Sequence, residues 1–343
     1  SSFCQELGVS IPVGKDSLSM KTSWKDQAGE AKTVVSPVSL VVSAAAPVYD
    51  IRNNLLPMFA ESVRDSSLLL IDLGHGKDRL GGSVYSQVTQ RFDSVTPDME
   101  DPKELKKFLE LIRSLSAKGA ILAYHDRSDG GLAAALCEMM FASHVGVEIV
   151  ADALVSKDRT LNQALFNEEL GAVIQVARGR AAEVERDFEA AGMGWSLKYL
   201  GNLTQDDHLN IYLEGKCVLS EDRVDLQKAW NEVSWQIARM RDNPECVDSE
   251  YELISDKHNG GLVLTMGFDP EENLAAPFIN TGVRPKVAIL REQGVNSQNE
   301  MASAFLQAGF DAVDVHMTDL LEGRAKLADF VGLAACGGFS YGD

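Results

Sequence analysis

Two observations predict an α/β protein, and a third predicts more than one domain. Between residues 67 and 219, apolar runs of strand length alternate with stretches of helical periodicity, a pattern that layers helices against a sheet. After residue 284 the chain reads strand, helix, strand with short connections, which is a parallel βαβ unit with a right-handed crossover. Between them, residues 243–261 turn polar and acidic and end in Asn259-Gly260-Gly261, which suits a linker. At ~100–200 residues per domain, the 343 residues hold two or three domains.

The first 65 or so residues read as strands with turns, 10–13 and 34–46, followed by a Pro-containing helix over 53–60, the tail of one domain. Strands are then expected at 68–73, 120–124, 147–149 and 171–176, and helices at 102–116, 132–142 and 181–191. A helix over 221–241 carries Leu226, Trp230, Val233 and Ile237 three or four residues apart, which predicts a packed face. In the last part, strands fall at 286–290, 312–315 and 330–336, with a helix over 300–308 closed by Gly309. Ser297 and Glu300 have the spacing of a capping box.

Composition narrows the function classes. A hydrophobic content of 45% with 24% charged residues is that of a soluble globular protein. The formal net charge of −19 argues against a nucleic-acid surface, because neutralising phosphates requires clustered Lys and Arg. It suits solubility and is compatible with bound Mg2+. No apolar run reaches the ~18 residues of a membrane span, and the N-terminus lacks the regions of a signal peptide, so a cytoplasmic location is expected. Five widely spaced cysteines without a C-x-x-C pair argue against a disulfide framework or a zinc site. A start at Ser1 without Met, and an end at Asp343 just after a glycine turn, suggest a segment of a longer polypeptide.

The most informative stretch is His125-Asp126-Arg127-Ser128-Asp129-Gly130-Gly131, between a strand and a helix. In an extended chain Tyr124, Asp126 and Ser128 face one way, and His125, Arg127 and Asp129 the other. That pairs a carboxylate with a hydroxyl beside a helix N-terminus, the chemistry that holds Mg2+ and a phosphate. Gly130 and Gly131 would let the phosphate approach the backbone. The plainer alternative is a turn with Asp129 as helix cap.

Other motifs are weaker. Gly14-Lys15-Asp16-Ser17 is not a P-loop, since Asp16 separates Lys from Ser and position 9 is Val; Lys15, Asp16 and Ser17 remain candidates for phosphate or metal contact. Leu80-Gly81-Gly82-Ser83-Val84-Tyr85 either holds backbone against a ligand or packs tightly, and tight packing is favoured. His75, His144, His208, His258 and His316 lack ligand spacing. Cys336 follows a strand, but Ala334 stands where a nucleophile elbow has Gly, so a catalytic Cys336 is disfavoured. Gly337, Gly338 and Phe339 instead suit a turn whose N–H groups face a developing oxyanion.

Residues 11–20 (IPVGKDSLSM), 125–131 (HDRSDGG), 165–171 (LFNEELG), 239–246, 284–297 and 336–343 occur in an order that closely resembles the large, single-chain phosphoribosylformylglycinamidine synthases across essentially the whole chain. The resemblance implies an ATP-dependent ligase of de novo purine biosynthesis. Such an enzyme converts formylglycinamide ribonucleotide, glutamine, ATP and water into formylglycinamidine ribonucleotide, glutamate, ADP and phosphate. It further implies that residues 1–65 are the tail of the N-type subdomain of the second synthetase half, and that 66–220 form a C-type domain similar to aminoimidazole ribonucleotide synthase. Residues 221–283 would be helix and linker, and 284–343 an incomplete, flavodoxin-like class I glutaminase domain. Asp126 would be a Mg2+ ligand, and Ser128, with Gly130 and Gly131, would meet bound ATP or ADP, a nucleotide whose role in this half is structural. The glutaminase nucleophile is expected beyond Asp343, leaving no catalytic side chain here, although backbone Gly337 and Gly338 could serve the oxyanion. The chain alone should then be inactive. Alternatives are another ATP-using member of the aminoimidazole ribonucleotide synthase superfamily and a non-catalytic nucleotide-binding scaffold.

Overall fold

The computed structural model describes residues 2–11, 20–37, 39–48, 50–63, 65–91, 95–257 and 259–338. The chain divides into two compact units, Ser1–Asn259 and Gly260–Asp343. Of the sequence candidates, Lys15, Asp16, Ser17, His258 and Phe339, and part of the strand expected at 10–13, lie outside the described residues.

The first unit opens with helix α1 (Ser2–Leu7) and an antiparallel hairpin of β1 (Lys21–Lys25) and β2 (Ala31–Val35). The Asp26 carboxylate accepts the backbone N–H groups of Ala28 and Glu30 and so fixes the turn. The strand expected to run to 46 stops at Val35, and Pro37, which has no N–H to offer a ladder, follows two residues later. The helix expected over 53–60 is also absent. One 3-10 turn, Ile51–Asn53, forms under an Asp50 cap, and the residue preceding Pro57 is disfavoured in helical conformation. The segment runs extended onto the unit instead: Leu56 O accepts Tyr124 N–H at 2.9 Å, and Phe59 is buried.

Next come β3 (Ser66–Asp72), α2 (Val84–Thr89), α3 (Pro102–Ala117), β4 (Ile121–Asp126), α4 (Gly131–Ser143), β5 (Gly146–Val150), α5 (Leu161–Phe166), β6 (Gly171–Ala177) and α6 (Ala181–Ala190). Three strands that the apolar pattern did not reveal follow: β7 (Leu197–Thr204), β8 (His208–Leu213) and β9 (Lys216–Asp222). Among the described residues, β3 to β9 make one seven-stranded sheet in the order β4-β6-β3-β7-β5-β8-β9. Every neighbouring pair is antiparallel except β5 and β8. Strand and helix alternation therefore yields a mixed, mainly antiparallel sheet in this unit.

Central strand β3 is buried throughout, so its alternate side chains build two cores. Leu68 and Leu70 meet Leu132, Leu136 and Met139 of α4 on one face. Leu69 and Ile71 meet Phe108 and Leu115 of α3 and Phe188 of α6 on the other. Each such side chain contributes about 1.5–3 kcal/mol on burial. Helix α3 starts where the sequence offers Asp101 as a cap and Pro102 in its first turn; the cap carboxylate accepts from Lys103 N–H.

Helix α7 (Arg223–Arg241) departs from expectation in its packing. Leu226 joins the first core and Trp230 rests against Phe141 of α4 with ring centroids 5.8 Å apart, but Trp230, Val233 and Ile237 remain 61%, 69% and 53% exposed. A second partner lies on another face: Trp235 stacks on Tyr251 at 4.4 Å and donates to Asp248 at 2.9 Å. Those partners belong to helix α8 (Pro244–Glu252), which occupies sequence expected as linker and is capped by Asn243.

The second unit holds α9 (Ala276–Ile279), β10 (Lys286–Arg291), α10 (Gln298–Gln307), β11 (Asp311–His316), α11 (Met317–Leu321) and β12 (Gly332–Ala335). Its three strands are parallel in the order β11-β10-β12, with Val287, Ala288, Ile289 and Val315 buried. The capping box expected at Ser297 does not form. Ser297 sits in the left-handed region at φ 69° without a side-chain cap, and the box is made by His316 and Asp319 at α11.

Candidate functional site

Strand β4 delivers the His125–Gly131 corner to the sheet end, and α4 starts from it. Tyr124 and Asp126 share a face, the Tyr124 hydroxyl donating to Asp126 Oδ1 at 2.5 Å. Burial, then the bond to Asp126, push the Tyr124 phenol well above its ordinary range. Asp126, Ser128 and Asp129 are exposed, whereas Arg127 turns inward and is 3% exposed. His125 Nδ1 donates to the carbonyl of Asp126 at 2.7 Å, and Nε2 lies 2.9 Å from Glu138 Oε2 on α4.

The two glycines have different tasks. Gly130 has φ 79°, and its N–H donates to Glu168 Oε1 at 2.9 Å. Gly131 has φ 69°, and a Cβ there would lie 2.6 Å from Asn167 O and 2.8 Å from Leu165 O. Its missing side chain thus admits protein backbone. The Leu80–Tyr85 turn behaves similarly: a Cβ on Gly81 would meet Val95 O at 2.5 Å, and Ser83 caps α2 through Ser86 N–H. The turn and the corner meet at Glu168, whose Oε1 also accepts Val84 N–H at 2.9 Å.

Beneath them lies a buried charge network. Asp72, at the end of β3, pairs with Arg127 Nη2 at 2.7 Å, Lys198 Nζ at 2.9 Å and Arg159 Nη2 at 3.5 Å. Burial alone would raise the Asp72 pKa, but Arg127 and Lys198 together outweigh it and hold the carboxyl well below the usual carboxylate range. Glu169 is 1% exposed and grips Arg79 with both oxygens, at 2.7 and 2.8 Å. Asp78 accepts from Asn167 and pairs with Arg159, yet burial prevails and raises its pKa. Arg127 also donates to the carbonyls of Glu169 at 2.6 Å and Leu170 at 3.1 Å, which leaves only Nη1 without a partner.

Among the described residues no group of three or more His, Cys, Asp and Glu could hold a metal. Asp126 supplies one exposed carboxylate. Mg2+ keeps several waters and binds through one or two carboxylates plus phosphates, so these residues fit the anchor of a phosphate-bridged ion and not a protein cage.

In the second unit, half-buried Cys336 follows β12, and Gly338 forms an antiparallel bridge with Val295 in the loop after β10. Gly337 O accepts Asn296 N–H at 2.9 Å, and a Cβ on Gly338 would collide with Gly294 O. Gly337 and Gly338 thus sit at the carboxyl ends of β10 and β12. Among the described residues no helix is long and apolar enough to cross a membrane.

Sequence reasoning missed Asp72, Asp78, Glu168 and Glu169. The one available signal was Asn167-Glu168-Glu169, three consecutive polar residues within an otherwise apolar motif.

Comparison with known proteins agrees with this architecture. Residues 66–214 match the C-terminal domain of AIR synthase related proteins, 284–343 a CobB/CobQ-like glutamine amidotransferase domain, and 1–47 an FGAR-AT PurM_N-like domain. Among solved structures, phosphoribosylformylglycinamidine synthase II from Thermotoga maritima is 11% identical with a TM-score of 0.44, covering 65% of this chain and 33% of that one. PurLQS from T. maritima is 12% identical with a TM-score of 0.38, covering 74% and 33%. E. coli HypE, a hydrogenase maturation protein, is 19% identical with a TM-score of 0.32, covering 46% and 49%. The chain thus spans a third to a half of the length of these relatives. By its domain matches it resembles an AIR-synthase-type domain followed on one polypeptide by a glutamine-amidotransferase-type domain. With the FGAR-AT-type domain at its start, the chain carries three domain types in an order similar to that of the phosphoribosylformylglycinamidine synthases.

Proposed function

We propose that this chain serves the amidotransferase reaction of de novo purine biosynthesis. In that reaction formylglycinamide ribonucleotide, glutamine, ATP and water give formylglycinamidine ribonucleotide, glutamate, ADP and phosphate. The observation that carries the reading is the succession of three matched domains in one order. Glutamine would be cleaved on the side of the second unit by acyl transfer to a Cys thiolate, and ATP would activate the amide oxygen on the synthetase side before ammonia attacks. For the domains we propose a tail of the N-type subdomain at 1–65, a C-type domain at 66–220, helix and connection at 221–283 and a glutaminase portion from 284. T. maritima PurL has been solved in complexes with ATP and with FGAR; by analogy these are the ligands of the whole protein, which would work in the cytoplasm.

Within the chain, the corner is the nucleotide site. Asp126 would hold Mg2+ with its exposed carboxylate, Ser128 would offer the nucleotide a hydroxyl beside it, and Gly130 and Gly131 lead the backbone into α4, where helix polarity favours an anion. Mg2+ would neutralise phosphate charge. Gly337 and Gly338 are proposed as oxyanion backbone on the glutaminase side. Calorimetric titration with ADP and Mg2+ tests the corner: saturable Mg2+-dependent binding that is lost in Asp126→Asn and weakened in Ser128→Ala is expected. Binding unchanged in both variants would remove these residues from the site.

A further inference from the structure

Neither the resemblance nor the nucleotide reading gives a task to Asn167-Glu168-Glu169, and the structure places all three at one junction. Asn167 Nδ2 donates to Asp78 at 2.9 Å, and Glu169 grips Arg79 at 2.7 Å, so the residues on either side of Glu168 are tied to the loop that leads into the Leu80–Tyr85 turn. The carbonyls of Glu169 and Leu170 are held by buried Arg127, at 2.6 and 3.1 Å. Glu168 therefore projects from a backbone clamped on both sides. Its Oε1 accepts two N–H groups from distant parts of the chain, Val84 after the Gly81-Gly82 turn and Gly130 in the corner, each at 2.9 Å. One carboxylate oxygen is the direct bond between the two glycine motifs.

We propose that Glu168 is a positioning residue: its carboxylate fixes the Gly81–Val84 turn against the Asp126–Gly131 corner and thereby sets the place of Asp126 and Ser128. The proposal rests on the nucleotide reading only for its effect on ligand; the coupling of turn and corner stands on the hydrogen bonds alone. Acceptor geometry is what the task needs, so glutamine, which keeps a carbonyl oxygen at the same reach, should serve, and alanine should not. A clamp of this kind matters because a site displaced by even 1 Å loses much of its power to bind and orient a ligand.

The test uses the whole chain with Glu168→Ala and Glu168→Gln, read by ADP and Mg2+ calorimetry and by amide exchange at Val84 and Gly130. Glu168→Ala should weaken ADP binding at least ten-fold and speed exchange at both amides, with the exchange of β3 and β6 unchanged. Glu168→Gln should stay within about three-fold of the parent in both readouts. ADP binding as tight or tighter in Glu168→Ala would overturn the proposal, because Glu168 would then merely occupy the place of an anion. Faster exchange at only one of the two amides would also overturn it. If the parent chain binds no ADP, the nucleotide reading fails, and exchange alone decides: both amides must loosen in the alanine variant and neither in the glutamine variant.

Discussion

Replacing Arg127 by Ala should cost the first unit about 3–4 kcal/mol, and the figure follows from what the guanidinium touches. Its side chain is fully buried and makes three hydrogen bonds, to Asp72 at 2.7 Å and to the carbonyls of Glu169 and Leu170 at 2.6 and 3.1 Å. Breaking a buried ion pair by deleting one partner costs about 3–5 kcal/mol, because the remaining charge is stranded. Here Asp72 keeps Lys198 at 2.9 Å, which softens the loss and points to the lower half of that range. Asp72→Asn should cost less, about 2 kcal/mol, since Arg127 keeps both carbonyls while the Asn still offers it an acceptor oxygen. The double variant Asp72→Asn/Arg127→Ala should be less destabilised than the two singles added, by more than about 1 kcal/mol of coupling. Because the chain has two units, the assay is denaturant-dependent amide exchange in β3, β4 and β6, which reports this sheet alone. A loss under about 1 kcal/mol for Arg127→Ala, or strict additivity, would refute the claim that the network is a desolvated, interdependent unit.

Other substitutions separate the roles of packing, backbone and charge. Gly131→Ala places a methyl 2.6 Å from Asn167 O at φ 69°, so a loss of more than about 2 kcal/mol in thermal or urea unfolding is expected. Wild-type stability would show that the 165–167 backbone can retreat. Leu136→Ala removes a fully buried side chain beneath the sheet and should cost about 2–5 kcal/mol, whereas Val233→Ala, 69% exposed on α7, should cost under about 0.5 kcal/mol. Similar losses for the two would mean that the α7 face is covered in solution. Acidification tests Asp72. Its folded pKa is depressed, so its contribution is fully present above the unfolded value of about 3.9 and is lost as pH falls through the folded one. The stability gap between the parent and Asp72→Asn should therefore be constant from pH 7 to 5 and shrink below pH 4. A gap that widens on acidification contradicts the sign.

The parts of the fold that were legible in the sequence are those where one local signal dominates. The apolar run of β3 and the largely apolar α4 announced themselves because both bury most of their apolar side chains. The Asp101-Pro102 start of α3 needed only its own cap. Strands β7 to β9 were hidden because a half-exposed, polar-studded strand has no run to recognise, and β9 is exposed at most positions. Proline spacing decided the two failures near the N-terminus, where Val34 onward looked extended and residues 53–60 looked helical. In α7 the periodicity was correctly helical, but it could not say that a second face would find a partner: Trp235 stacks on Tyr251 of α8, while Trp230, on the expected face, only rests on Phe141 and stays 61% exposed.

The candidate site divides along the same line. Alternation along one strand was enough to separate Asp126 from Arg127, which are exposed and buried respectively, but the strand ends at Asp126 and the rule fails beyond it: Asp129, expected on the side of Arg127, is exposed like Ser128. The residues that fix the corner could not be found this way, because their partners lie far off in sequence: Asp72 is 55 residues from Arg127, and Glu168 is 84 residues from Val84. Each of these is a charged residue that a local reading assigns to a solvated surface. Asp72, at the end of an apolar strand, is nevertheless 2% exposed, and Glu169 1%. A buried carboxylate is tolerated only where cations and N–H groups converge on it. Such convergence is what ties β3, β4 and the 165–171 segment into one support beneath an exposed Asp126, so the polar residues the sequence leaves unexplained are the ones that hold the legible motif in place.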